Sequence, residues 1–150
     1  MWKKIIYATY GIHSGTNSFN SIKNYFADGT DSEKMRAEVQ KIAYINVSKM
    51  PGLKKTNMST LEKQFNDYWS EIVYKQIDAY APDVIIIAKT FSFFMEHFGI
   101  SEKDKVHSDG TTDVYKSGGK LFVDVYHPSY WSVSTKKYVE SLVNSCQLSL

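Results

Sequence analysis

Two apolar, β-branched runs limit what this chain can fold into: Val84-Ile85-Ile86-Ile87-Ala88 and Leu121-Phe122-Val123-Asp124-Val125. Runs of this length and composition read as strands buried in a sheet rather than as amphipathic strands with one wet face. The second run continues through Tyr126 as a strand that ends on His127, stopped at once by Pro128-Ser129. Pro128 has no N–H and pushes His127 towards extended backbone, so the chain leaves the sheet there. His127 then falls at the carboxyl end of a strand, where open α/β sheets bind ligands. At this point it is either a surface histidine closing a strand or a group placed to act on a ligand.

The first run is preceded by the clearest helical pattern in the chain. Leu61, Phe65, Tyr68, Trp69, Ile72, Val73, Gln76, Ile77 and Tyr80 recur at spacings of three and four, which predicts one apolar stripe on a helix. Ser59 and Glu62 have the spacing of a capping box at its start, and Pro82 stops it. Upstream, Ile42-Ala43-Tyr44-Ile45-Asn46-Val47 reads as another strand, followed by a loop over residues 48–52 with Pro51-Gly52 as its turn. Strand, crossover helix, strand predicts a parallel pair. Asn46 sits awkwardly in such a strand, since its amide needs partners. It either satisfies nearby backbone or projects into a cleft.

Residues 2–12 fit either a strand or a helix that Gly11 ends, the shared face of Trp2, Ile5, Ile6 and Thr9 favouring the helix. Phe19, Ile22, Tyr25 and Phe26 give a short amphipathic turn or helix closed by Asp28-Gly29. Residues 32–40 form a polar helical piece, and Thr90–Phe98 a short helix ended by Gly99, on which His97 packs among aromatics. Residues 100–119 are polar and aperiodic, a long surface excursion with a strand near Val114-Tyr115; His107 lies there without a partner pattern. Ser134 caps a last helix whose inner face holds Tyr138, Val139, Leu142, Val143 and Cys146. That placement makes Cys146 a buried, inert thiol.

The 150 residues fit a single domain, residues 1–150, with its own core. A net charge of +2 creates no general attraction for polyanions, so any nucleic-acid surface must be local. One cysteine excludes an internal disulfide and a protein-only four-cysteine metal site, and suits a reducing cytoplasm. No apolar run approaches the ~20 residues that span a bilayer. Phosphate-loop, dinucleotide-binding, zinc-protease and nucleophile-elbow motifs are absent. The four histidines lack metal-ligand spacing, so neither a metal nor a cofactor is expected.

What remains is polar residues at two strand ends, and there a resemblance emerges. Ile42–Gly52, the helix ending Lys75-Gln76-Ile77, the strand opening Pro82-Asp83, and Asp124-Val125-Tyr126-His127-Pro128-Ser129 together resemble the uracil-DNA glycosylase superfamily, especially its less characterised bacterial members. The resemblance spans about residues 40–145. It implies a three-layer α/β/α fold with a mostly parallel central sheet. It also implies that His127 stabilises a departing uracil, that Asn46 reads the flipped base, and that Ser129 lies in the base site. The loop bearing Tyr130 and Trp131 would press on DNA, unless both rings simply pack. Lys136 and Lys137 would meet phosphates, unless they form a solvated helix face. The family's first motif has no counterpart in residues 1–39, so the expected fold has its N-terminal unit truncated or diverged.

Three functions stay open. One is a glycosylase cutting the N-glycosidic bond of uracil or a related damaged base in DNA. Another is an inactive base- or nucleic-acid-binding module of the same fold. The last is a partial domain whose sheet is completed by a partner chain or a second copy.

Overall fold

A computed structural model describes residues 1–49 and 57–150. They form two compact units, residues 1–42 with 83–150, and residues 43–82. In the larger unit, α1 (Trp2–Ser14), α2 (Phe19–Tyr25) and α3 (Ser32–Val39) precede β1 (Val84–Ala88) and the single turn α6 (Ser92–Met95). Then come β2 (Lys105–Ser108), β3 (Thr112–Ser117), β4 (Lys120–Val125) and α7 (Thr135–Ser149). The smaller unit holds α4 (Met58–Gln64), a π-helical turn over Phe65–Trp69, and α5 (Ser70–Tyr80). Among the described residues, no helix is long and apolar enough to cross a membrane.

The protein is a mixed α/β fold with an open four-stranded sheet in the order β1-β4-β3-β2. Both apolar runs are strands, and they pair parallel, Val84 with Leu121 through to Ala88 with Val125. The expectation of a mostly parallel sheet fails beyond this pair, because β2–β3 and β3–β4 are antiparallel. The reason lies in residues 100–119, which are not a surface excursion but contribute two strands. Gly118 and Gly119 both take positive φ (56° and 76°) between the paired Ser117 and Lys120. That is the two-residue turn whose twist matches a hairpin, and glycine adopts it without a Cβ penalty. The strand expected near Val114-Tyr115 is β3; the sequence hides only β2, a short polar strand with little apolar periodicity.

The expected strand over residues 42–47 is not formed; the segment is irregular, with Asn46 exposed. With it goes the predicted strand–helix–strand unit. A strand needs a neighbour to share its backbone hydrogen bonds, and apolar content alone supplies none. The expected Pro51-Gly52 turn lies outside the described residues. The helical stretch that follows is capped by Asn57 rather than Ser59 and starts at Met58, because Asn57 accepts from the Ser59 and Thr60 N–H groups (3.1 and 3.2 Å). Its stripe is only partly buried: Phe65, Val73 and Ile77 are buried, whereas Tyr68, Ile72 and Tyr80 are exposed.

One face of the sheet carries the main core. Val114, Leu121, Val123 and Val125 pack with Ile6, Tyr7 and Ala8 of α1, Ile22 and Phe26, and Val139, Leu142, Val143 and Cys146 of α7. Cys146 is buried there as expected, and burial pushes its thiol up to about 12. Side chains alternate across a strand, so Tyr115 and Phe122 point to the other face. Phe91 stacks on Tyr115 (centroids 4.6 Å apart) and Phe98 packs on Phe122 (5.0 Å).

Gly11 does not end α1, which continues to Ser14 and is closed by Gly15 at φ 72°. Gly11 instead marks where α1 and α7 come together, since a Cβ there would lie 2.6 Å from Val143 Cγ2.

Candidate functional site at the carboxyl end of the parallel pair

Because β1 and β4 run parallel, their carboxyl ends emerge side by side. The Lys89 N–H donates to the Val125 carbonyl (3.2 Å), closing the ladder. Lys89 then takes φ 71°, a left-handed conformation uncommon for a residue with a Cβ, which turns the chain away from the sheet. On the neighbouring strand, the Tyr130 N–H donates to the His127 carbonyl (2.8 Å). This four-residue turn has Pro128 at its second position, where a fixed φ is favourable.

Inside that turn His127 is held by Ser129. The Ser129 backbone N–H donates to His127 Nδ1 (3.2 Å), and Ser129 Oγ lies 2.6 Å from the same nitrogen. An amide N–H can only donate, so Nδ1 is the acceptor and the ring proton of the neutral imidazole sits on Nε2. His127 is half-buried. Burial first, and then the positive charge of Lys89, hold its pKa below the ordinary value. The result is a neutral imidazole whose Nε2–H is a donor.

Aromatic residues flank His127 along the same turn. Tyr126 and Tyr130 stack with centroids 5.1 Å apart and 20° between planes. Lys89 Nζ lies 5.9 Å from the Tyr130 ring centroid, within reach of a cation–π attraction. Trp131 is 89% exposed, so the loop presents a large ring to solvent with no packing role. The loop is anchored from below by Lys4, whose buried ammonium donates to the carbonyls of Val133 (2.7 Å) and Tyr130 (3.1 Å). Sequence reading missed both Lys4 and Lys89. Lys89 was findable, since it is the first polar residue after an apolar strand that parallels the His127 strand. Lys4 had no signal, because its acceptors lie more than a hundred residues away.

The expected lysines belong to a different surface of this unit. Ser134 caps α7 as predicted, accepting from the Lys137 N–H (3.1 Å). Lys136 and Lys137 are exposed in its first turn. They line a separate open cleft of about 310 Å³ with Asp109, Thr111, Glu140 and Asn144, to which neither His127 nor Tyr130 contributes. With carboxylates interleaved, that cleft is no simple phosphate track. Asn46 belongs to the smaller unit, on the irregular segment, so the strand end that was to position it does not exist. Among the described residues, no carboxylate bonds His127, and no group of three or more His, Cys, Asp or Glu could hold a metal ion. Comparisons with family models, curated proteins and solved structures return no match for this chain.

Proposed function

We propose that the carboxyl end of the β1–β4 pair binds a nucleic-acid base extruded from DNA and, as a uracil-DNA-glycosylase-like hydrolase, cleaves its N-glycosidic bond. One observation carries the reading. His127 is fixed as a neutral imidazole, with Nδ1 occupied by Ser129 and Nε2–H left as donor. Breaking an N-glycosidic bond leaves negative charge on the departing base, and a donor aimed at that oxygen acts where charge develops. A neutral donor suits an anion that must later leave, and Lys89 adds positive charge nearby. The stacked Tyr126 and Tyr130 and the exposed Trp131 offer flat faces to bases, whose stacking contributes about 1–3 kcal/mol each. A base reaches such a site only from a single strand or after flipping. The three-layer, glycosylase-like arrangement of the whole chain belongs to this proposal, as does Asn46 reading the base edge.

A second reading, base binding without cleavage, is favoured because the motif that would position the water in the resembled family has no counterpart in residues 1–39. The two separate in one experiment. Single- and double-stranded oligonucleotides carrying one uracil are incubated with the protein, then treated with alkali to break abasic sites. Strand breaks that vanish in His127→Ala establish the enzyme. Binding seen by fluorescence anisotropy without breaks establishes the module, and neither result sinks both.

A further inference from the structure

The sheet has two edges of opposite character. The β2 edge is short, carries Lys105 and His107, and has a register shift between them. Lys105 is further engaged with Glu102 (2.8 Å) and Asp113 (3.2 Å). Charge, brevity and irregularity are how proteins keep an edge from pairing. The β1 edge carries no charged side chain within the strand and no irregularity. It is Val-Ile-Ile-Ile-Ala, with regular register throughout against β4.

The hydrogen-bonding direction of that edge follows from its ends. Leu121 N–H donates to the Asp83 carbonyl (2.9 Å) and Lys89 N–H to the Val125 carbonyl (3.2 Å). In a parallel ladder alternate residues face the neighbouring strand, so Asp83, Ile85, Ile87 and Lys89 face β4. Val84, Ile86 and Ala88 then direct their N–H and C=O groups outward, and among the described residues these groups have no partner. Ile86 is also 42% exposed in side chain and backbone together, an apolar residue at the middle of an open edge.

We propose that two copies of this chain pair through their β1 edges, antiparallel about Ile86, to join their sheets into one. The charge pattern selects the occupant. Asp83 and Lys89 are both exposed and flank the strand at equal distances from Ile86. In a two-fold pairing centred on Ile86, Asp83 falls opposite the partner's Lys89, and Lys89 opposite the partner's Asp83. Val84 pairs with the partner's Ala88, and Ile86 meets its own copy on the axis. Each of these outward-facing residues exchanges both backbone bonds with its opposite number. A self-complementary patch of this kind is what a two-fold interface requires, and opposite charges directly across antiparallel strands attract. The interface reaches the His127 site, because the same Lys89 stands over Tyr130.

Sedimentation velocity on the full chain, over a micromolar concentration series, tests this without reference to glycosylase activity. The expected result is reversible association from 17.2 kDa to twice that mass. Ile86→Lys puts like charges on the axis, and Asp83→Lys or Lys89→Asp puts like charges at both flanks. Each is expected to weaken the dimer at least tenfold while circular dichroism stays unchanged. The double swap Asp83→Lys with Lys89→Asp restores opposite charges across the axis and is expected to regain dimerisation. A wild-type chain that stays monomeric overturns the proposal, and leaves the edge to another strand of this chain or of a different protein. A dimer indifferent to Ile86→Lys, or a double swap as weak as its single variants, overturns it as well.

Discussion

The ammonium of Lys4, buried near the start of α1, donates to the Val133 carbonyl at 2.7 Å and joins the first turn of the chain to the loop that follows His127. The same group reaches the Tyr130 carbonyl at 3.1 Å and lies 5.3 Å from the Tyr138 ring centroid. One cation therefore satisfies two loop carbonyls. In Lys4→Met the stem is retained and the carbonyls lose their donor. A loss of about 1–3 kcal/mol in denaturant unfolding is expected, the range for leaving a buried hydrogen-bonding group unsatisfied. Hydrogen exchange should quicken over residues 127–133 more than in β3. Uniform exchange in that variant would mean Lys4 does not hold the loop.

The His127 proton has a defined direction of response to pH. Its pKa is held below the ordinary 6.5 by burial and by Lys89. A histidine depressed on folding contributes stability that is complete above the unfolded value and lost as pH falls through the folded one. If the neutral imidazole is the donor, kcat/KM for uracil excision is flat above about pH 6.5 and declines below it. Lys89→Met, by removing a positive charge, should move that decline to higher pH. An unmoved profile would remove Lys89 from the account.

Asn46 separates a functional role from a structural one. It is exposed on an irregular segment, so Asn46→Ala should alter unfolding by no more than about 0.5 kcal/mol, as surface substitutions do. If it reads the base edge, the same variant loses most discrimination between uracil and cytosine in single-stranded oligonucleotides. Unchanged discrimination removes it from the site.

Gly11→Ala reverses the usual sign of a helix substitution. Within a helix, alanine is ordinarily the more stable residue by about 0.5–1 kcal/mol. Here the added Cβ meets Val143 Cγ2 at 2.6 Å, the Thr16 carbonyl at 2.9 Å and Ile22 Cδ1 at 3.0 Å. A net loss of about 1–3 kcal/mol is expected from overpacking, measured by thermal or urea unfolding. The double variant Gly11→Ala with Val143→Ala should recover part of it.

Cys146 gives a simple readout of the α1–α7 core. Its thiol is buried and pushed up to about 12. At pH 8 it should resist a thiol-specific disulfide reagent in the native protein and react fully in guanidinium. Rapid native labelling would show that α7 opens locally.

How much was readable in advance depends on the range of the interactions involved. The runs Val84–Ala88 and Leu121–Val125, the Ser134 cap and the inner face of α7 are local patterns of apolar spacing and capping, and each is found in the structure as read. The strand expected to end on His127 stops sooner, at Val125, and Pro128 instead shapes the turn from His127 to Tyr130. Pairing is another matter. Nothing local in Lys105–Ser108 announces a strand, and nothing local in Ile42–Val47 prevents one; the former found β3 as a neighbour, and the latter lacks a ladder. The parallel contact of β1 with β4, the tautomer of His127, the reach of Lys4 to Val133 and the closeness of Gly11 to Val143 all join residues that only the folded chain brings together. Composition and periodicity set which segments are able to bury themselves, whereas backbone hydrogen bonds and close packing, which need a specific neighbour, decided which of them did.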